Sequence, residues 1–526
     1  MIDSIRIENL RSLKDTDFIK LKRLNILLGS NSSGKSTFLR SFPLFAQSVR
    51  KSLRGPISWF DDSMVDFGNY DTAMNFSVPK SEKISFSYLL KSPFNTSDFY
   101  GLRPSRFWLF DKVLSKSLGG VECKIVLSND KNGTYVNSVI LKIDSNVCNF
   151  FIEKREDNVQ VIVNDNLYPI PKTKWLHNTD HFILPRFESV ESNESFALVT
   201  VRDALLQHIF NELKKYCRAN FTKTERLFSI ILAWSMNKNE FLNVLQQKSS
   251  LKSFHKHAKK WTIDSEEFLH IYDGILVYFF MNMFKILDTE MTCFYDNCEY
   301  VAPFRAEASR YYRSQGLQVD DIDSYGRNLQ EFVSSLSKTQ LEDYNSFLYN
   351  LLKIKISVKS SAGHYSIILN DHGRYVNMTD VGFGYSQILP ILTKLWYAHS
   401  KKKLMRFRCF DQNFINNITL IEQPELHLHP AMQALVADAL VDFLNFQKIK
   451  ENQGLQEMVI VETHSQTIIN RIGRRIREGK LSPNDVNVLL FQKNGLNTDT
   501  EIRVALFNEN GQLKNWPFGF FDPDNL

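Results

Sequence analysis

Gly29-Ser30-Asn31-Ser32-Ser33-Gly34-Lys35-Ser36-Thr37 follows the apolar run Leu24-Asn25-Ile26-Leu27-Leu28 and leads into a helical pattern from Thr37 to Val49. Two glycines separated by four residues, then Lys and Ser, set between a strand and a helix, form a loop whose backbone N–H groups wrap a polyphosphate. Lys35 is placed to reach the β- and γ-phosphates, and Ser36 to offer its hydroxyl to Mg²⁺. An ordinary Gly/Ser turn shares the glycines but not this setting. Pro43 is expected to kink or interrupt the helix that follows.

Working outward, 526 residues suggest two to four units. A hydrophobic fraction of 43% and a charged fraction of 23% are those of a folded globular chain, with Phe (41) and Tyr (19) plentiful, which excludes extended disorder. A net charge of +6 permits nucleic-acid contact without demanding it. The six cysteines have no framework spacing, and Cys293 and Cys298, the near pair, read as buried thiols; a reducing compartment follows. There is no signal peptide at Met1-Ile2-Asp3-Ser4-Ile5, and Ile275 to Phe284 is too short to span a bilayer, so a cytoplasmic protein without membrane contact is expected.

Alternating patterns over Asp3 to Glu8 and Phe18 to Leu21 predict a half-exposed antiparallel start. The stretch from about Lys83 to Val163 reads as β, with Asn129-Asp130-Lys131-Asn132-Gly133 as a hairpin connection. From about Leu205 the periods turn helical, with Asp264 as N-cap of a helix to about Leu287. Tyr300 to Ala306 reads as a strand, Asn328 to Leu352 as two helices, and Ser386 to His399 as a further helix. Ile418 to Glu422, Met458 to Glu462 and Asn487 to Phe491 are apolar runs suited to buried strands, the first two as parallel strands of a covered sheet.

A phosphate loop needs an acid at the end of a neighbouring strand to hold Mg²⁺. Ile418-Thr419-Leu420-Ile421-Glu422-Gln423-Pro424-Glu425 supplies one, followed by Leu426-His427-Leu428-His429-Pro430, and Val459-Ile460-Val461-Glu462-Thr463-His464-Ser465 ends a later strand in a histidine. With Asp380-Val381-Gly382-Phe383-Gly384-Tyr385-Ser386-Gln387, these segments resemble, in order, the Walker A loop, signature, Walker B strand with D-loop, and switch histidine of an ABC-type ATPase. More closely, the chain resembles the AAA-15/AAA-21 group of ABC ATPases found with OLD-type and Septu (PtuA-type) antiphage systems, some of them in retrons. Glu422 to Pro430, Leu481 to Val486 and Trp516 to Asp522 are similar to ATPases with the DUF3696 C-terminal region. The resemblance covers 1 to 75 and about 300 to 526; nothing comparable is found for 76 to 295.

The resemblance implies an α/β, two-lobed ABC/SMC-like ATPase head with a large mixed insertion. Residues 1–75 form the lobe with Walker A. Residues 76–295 form the insertion, β-rich to about 170 and helical from about 200. Residues 296–480 carry signature, Walker B and switch histidine, and 481–526 the DUF3696-like segment. It further implies a homodimer with two ATP at the interface. Each site would join Gly29, Asn31, Ser32, Ser33, Gly34, Lys35, Ser36 and Thr37, with Glu422 and His464, to the partner copy's Gly382, Gly384, Ser386 and Gln387. Ser36 and Glu422 would hold Mg²⁺. One position departs from the ABC pattern: Gln423 stands where a glutamate usually orients the attacking water. Glutamine positions water but cannot take its proton, so slow hydrolysis is expected unless Glu425 or His464 compensates; a glutamine here is usual in the DUF3696-like branch.

Other clusters admit two readings. His427, His429, His464 and Glu422 suggest a metal site, or simply the D-loop and γ-phosphate roles already given. Asp320-Asp321-Ile322-Asp323 suggests nuclease carboxylates, or a solvated acidic loop, which is preferred. After Ser465 there is no acidic cluster of the kind OLD-type nucleases carry, nor an HNH arrangement, so no nuclease site is expected in this chain. Basic groups at Lys252, Lys256, Lys259 and Lys260 with Phe254 and Trp261, at Lys401, Lys402, Lys403, Arg406 and Arg408, and at Arg471, Arg474, Arg475 and Arg477 are nucleic-acid surfaces or solvated helix faces. The expected function is ATP-dependent sensing or gating of a separate effector, an HNH (PtuB-like) nuclease or a toxin, with a reverse transcriptase and retron RNA–DNA as further partners. The alternative is an SMC/RecF-like clamp on DNA in repair; a transporter subunit ranks third.

Overall fold

The computed structural model describes residues 2–91, 120–155, 157–176, 183–189, 201–217, 230–231, 234–248, 252–307, 309–313, 319, 321–361, 363–371, 373–400, 416–448, 456–493 and 500–517. The chain divides into two compact units, one of Met1–Arg6, Lys51–Ile57 and Lys83–Thr292, the other of Ile7–Arg50, Ser58–Glu82 and Cys293–Leu526.

The second unit is built on a seven-stranded sheet. Its elements are β1 (Leu24–Gly29), α1 (Lys35–Val49), β2 (Cys298–Val301), α2 (Phe383–Ser400), β3 (Asn416–Glu422), α3 (Pro430–Lys448), β4 (Gln456–Glu462), α4 (Gln466–Arg477), β5 (Val486–Lys493), β6 (Thr500–Phe507) and β7 (Leu513–Lys514). The strand order is β2-β3-β4-β1-β5-β6-β7, parallel from β2 through β5 and antiparallel beyond. Apolar runs buried on both faces are what a parallel sheet covered by helices requires. Ile26, Leu28, Ile421, Val461, Val488 and Leu490 share one core with Ile388, Ile391 and Leu395 of α2, Val436 and Leu440 of α3, and Ile468 and Ile472 of α4. On α4 the isoleucines at 468, 469, 472 and 476 are buried and the arginines fall on the other face. Each buried side chain of this size contributes about 1.5–3 kcal/mol.

The 481–526 segment supplies β5 and β6 to this sheet, β5 lying beside β1 with Phe491 opposite Gly29. A smaller antiparallel sheet carries Tyr312–Arg313, Ile354–Ser361, His364–Asp371 and Arg374–Asn377, and helices Leu329–Ser335 and Lys338–Leu352 precede its longer strands. The opening strand Ile2–Leu10 turns back on Leu13–Asp15 with Glu8 opposite Asp15, as its alternating pattern predicts.

In the first unit, strands Ser85–Leu90, Val121–Asp130, Gly133–Ile143, Asn146–Phe151, Gln160–Val163 and Asn166–Tyr168 pair in sequence order. The expected hairpin closes at Asp130 and Gly133. The helix Glu266–Asp296 packs Phe284 on Phe150 at 5.1 Å between ring centroids, and Asp288 accepts from the backbone of Ile183 and Leu184 at 2.9 and 2.8 Å.

Several local expectations change. Pro43 does not interrupt α1, which runs from 35 to 49, because burial of the turns on both sides offsets the lost hydrogen bond. The helix from 266 ends at 296 rather than 287, and the strand near 300 stops at Val301. Asp323 accepts from the backbone of Tyr325 and Arg327, and Asp321 from Lys394, so this acidic stretch builds a turn rather than a free loop; Asp320 lies outside the described residues. Cys298 is a free buried thiol as expected, whereas Cys293 is disulfide-bonded. Among the described residues no helix is long and apolar enough to cross a membrane.

Candidate functional site

The C-terminal ends of β1, β4 and β3 lie side by side, the edge of a parallel sheet at which α/β proteins place their ligands. Leu27, Glu462 and Glu422 are in register across the three strands. Ser30 to Gly34 form the loop between β1 and α1. Gly29 has φ 152°, and a Cβ there would meet the Phe491 carbonyl oxygen at 2.2 Å, so only glycine fits beside β5. Gly34, φ 96°, is the N-cap of α1, where a Cβ would sit 2.8 Å from Leu13 and 2.9 Å from Ser12. No side chain caps α1 and no acid lies in its first turn, so its first N–H groups and positive end face the loop. Asn31 and Ser32 are exposed at the tip, while Ser33, Lys35 and Thr37 are buried.

Lys35 Nζ donates to the Gly29 and Ser30 carbonyl oxygens at 3.1 and 2.7 Å, curling the loop around the ammonium. Burial lowers its pKa, against the pull of Glu462 and Glu425. Ser36 Oγ donates to Glu462 Oε1 at 2.8 Å. Glu422, the acid expected to share a cation with Ser36, is instead held by Arg40, whose Nε and Nη2 each donate at 2.8 Å, and by Tyr300 Oη at 2.8 Å. The reason is topological: β4, not β3, adjoins the loop strand, and Arg40 lies one turn beyond Ser36 on the same face of α1.

Glu422 and Glu462 are each only 1% exposed. Desolvation first and the neighbouring Glu422 second push the Glu462 carboxyl up to about 7. Its Oε2 is buried with no hydrogen-bond partner. An orphaned carboxylate oxygen beside a serine hydroxyl at the mouth of a phosphate-type loop is a donor set that suits Mg²⁺, a hard cation taking oxygen ligands. The residues present therefore fit Mg²⁺, with Glu462 and Ser36 nearest and Glu422 behind them.

Beyond β3 the chain turns sharply at Gln423, a non-glycine residue with φ 41°. Its N–H donates to the Glu462 carbonyl at 2.8 Å, tying the end of β3 to β4. Arg305, 5% exposed, donates to the carbonyls of Ala302, Glu422 and Gln423 at 3.3, 3.4 and 3.3 Å. Burial lowers its pKa to about 10. Glu425 accepts from Thr463 Oγ1 at 2.8 Å and from the His464 N–H at 2.6 Å, so both of its oxygens brace the switch segment. Desolvation followed by Lys35 pushes the exposed His464 imidazole down to about 4, leaving it neutral and able both to donate and to accept. His427 and His429 are exposed, and His429 Nδ1 accepts from Ala431 N–H at the start of α3. These histidines do not gather with His464 and Glu422 into a metal cluster among the described residues.

The stretch from Asp380 to Gln387 leads into α2. Gly382, φ 98°, is exposed just before the helix, and Gly384 is half-buried in its first turn, where a Cβ would meet Met432 Sδ at 3.0 Å. Ser386 and Gln387 are buried in the same chain, Gln387 Nε2 reaching the Arg305 carbonyl at 3.4 Å. Arg305 thus links the start of α2 to the end of β3. Glu462, Arg40 and Arg305 are the residues that sequence reasoning passed over; only Arg40 carried a signal, its four-residue spacing from Ser36.

A family model described as an AAA ATPase domain matches residues 1–469. The chain belongs to that family. It is therefore an ATPase of the AAA class, with ATP and, by the chemistry of its donors, Mg²⁺ as the fitting ligands. Residues 481–523 match a second model, a protein of unknown function (DUF3696). Among solved structures, this ATPase is similar to an Smc head bound to the C-winged helix domain of ScpA, at 9% identity over 96% of this chain and 98% of that one, TM-score 0.35. It is also similar to the SMC head domain from Thermotoga maritima, at 8% identity over 96% and 98%, TM-score 0.33. No curated protein matches the chain.

The basic surfaces read differently in the structure. Arg471 and Arg475 both donate to Asp438, at 2.8 and 2.7 Å and at 2.6 Å, and Arg474 and Arg475 pair with Glu478. Three of these four arginines thus serve α4 and α3 themselves. Phe254 and Trp261 pack on each other with centroids at 5.4 Å and are buried, so they offer no stacking platform, although Lys256, Lys259 and Lys260 are exposed. The 401–408 cluster lies outside the described residues.

Proposed function

We propose that this ATPase is a slow nucleotide switch. Two copies close head to head on two Mg·ATP, each site joining the 29–37 loop, Ser36, Glu462, Glu422 and His464 of one copy to the stretch from Asp380 to Gly384 of the other, Ser386 and Gln387 being buried in their own chain. The closed pair gates a separate effector, an HNH nuclease or a toxin, in an antiphage complex of the Septu or retron kind. Bound Mg·ATP supplies the anionic phosphates and the bond to be cleaved. The loop N–H groups and the end of α1 bind the phosphates. Lys35 exchanges the Gly29 and Ser30 carbonyls for phosphate oxygens, and neutral His464 hydrogen-bonds the terminal phosphate.

The observation that carries the switch reading lies at the end of β3. Gln423 occupies the water-orienting position, and the surrounding acids are engaged: Glu422 with Arg40 and Tyr300, Glu425 with Thr463 and His464, and Glu462 with Ser36 and the Mg²⁺ it would hold. Water is positioned without a base poised to take its proton, so nucleotide is held longer than it is spent. Support for the defence role comes from the sequence resemblance and from the large first unit, which offers room for recognition outside the nucleotide machinery.

Affinity purification of the tagged chain from its native host tests the role. A small HNH protein or a toxin is expected to co-purify with and without ATP. Recovery of DNA with no effector protein would instead support a clamp acting in repair.

A further inference from the structure

In the first unit, the helix Val201–Lys214 sets His208 and Glu212 four residues apart on one face. His270, near the start of the helix Glu266–Asp296, comes to the same place. One donor atom from each of the three lies within 4.8 Å of the others, and among the described residues no other group of three or more His, Cys, Asp or Glu is so arranged.

Ordinary packing accounts for part of this. Tyr168 stacks on the His270 ring at 5.2 Å and 27°, fixing its plane, and Lys215 Nζ lies 2.6 Å from Glu212 Oε2. It does not account for the imidazole nitrogens. His208 Nε2 is buried with no hydrogen-bond partner, an arrangement that costs free energy unless something occupies it. His270 Nε2 stands 3.9 Å from Glu212 Oε2, too long for a hydrogen bond yet well placed for both to share a small third body. Lys215 is exposed and can release Glu212 to solvent at little cost.

We propose that His208, Glu212 and His270 bind one divalent transition-metal ion, zinc foremost, which ties the two helices together. Two imidazoles and a carboxylate form a nitrogen-rich set that suits zinc, cobalt or nickel and disfavours magnesium and calcium, which take oxygen ligands. Three protein ligands leave a fourth position for water. The ion cross-links elements more than fifty residues apart in sequence, so it stabilises the folded unit by mass action.

The test uses the full chain, stripped with chelator, exchanged into zinc without nucleotide, and assayed for metal after gel filtration; cobalt in place of zinc reports histidine ligation through its visible absorption. One zinc per chain and a rise in melting temperature are expected, with at least tenfold weaker binding in His208→Gln and His270→Gln and loss of the cobalt bands in the double variant. Zinc is also expected to protect both histidines of the wild-type chain from diethyl pyrocarbonate, a readout that survives misfolding of the variants. Wild-type chain that takes up no zinc, double variant that keeps its stoichiometry, or histidines that stay reactive with zinc bound would each overturn the site.

Discussion

Paired buried carboxylates at strand ends are stable only if something neutralises them, and Glu422 and Glu462 solve this differently. Glu422 takes a guanidinium, while Glu462 keeps a raised pKa of about 7. The sign of the resulting pH dependence is definite. Between the unfolded carboxyl value near 4.5 and about 7, the folded state holds a proton that the unfolded state has released, so stability falls as pH rises through that window. The drop due to this group is about 3 kcal/mol. Denaturation of the nucleotide-free protein from pH 5 to 8 is expected to show it, and Glu462→Gln to flatten the profile; parallel profiles would place the titrating proton elsewhere. On the proposed mechanism Gln423 sets rate rather than stability. Gln423→Glu introduces a general base and is expected to raise steady-state turnover by tenfold or more, since such a base contributes typically about 10²–10⁴-fold. Unchanged turnover would mean that water activation is not what limits the reaction.

At the scale of elements, the sheet order decides which residues meet. The loop, the two acid-ended strands and the place of His464 just beyond β4 were legible in the sequence because each is a local pattern: an apolar run closed by Gly, Glu or Thr-His. The pairing of Glu462 with Ser36 was not, because it depends on β4 lying between β1 and β3, a long-range fact. Arg305 left no signal, since its work is done on carbonyls brought together by folding. Likewise, Arg471 and Arg475 look like a free basic stripe until α3 supplies Asp438. The C-terminal strand β6 reaches the loop itself: Thr500 Oγ1 donates to the Ser33 carbonyl at 3.0 Å and would lie 3.2 Å from a Cβ at position 34. Thr500→Val keeps the shape and removes that bond. It is expected to cost about 1 kcal/mol and to weaken ATP binding severalfold by loosening the loop, as titration with a fluorescent ATP analogue would read. Unaltered affinity would make β6 a bystander to nucleotide binding.

For the whole molecule, the nucleotide machinery and the larger part of the first unit are separate stretches of one chain, 83–292 lying between the loop and its acids in sequence. That layout suits a switch whose recognition surface is distinct from its fuel site. The exposed, glycine-flanked start of α2 has its Ser386 and Gln387 turned into its own chain, leaving Gly382 and its neighbours as the part a second copy can meet. ATP-driven pairing is the claim on which the rest depends, and light scattering of the purified chain with and without Mg·ATP tests it directly, with Lys35→Ala as comparison. The expected result is a doubling of mass on ATP in the wild-type chain and none in the variant. A wild-type mass that ATP leaves unchanged, or a Lys35→Ala chain that pairs equally well, would contradict the switch.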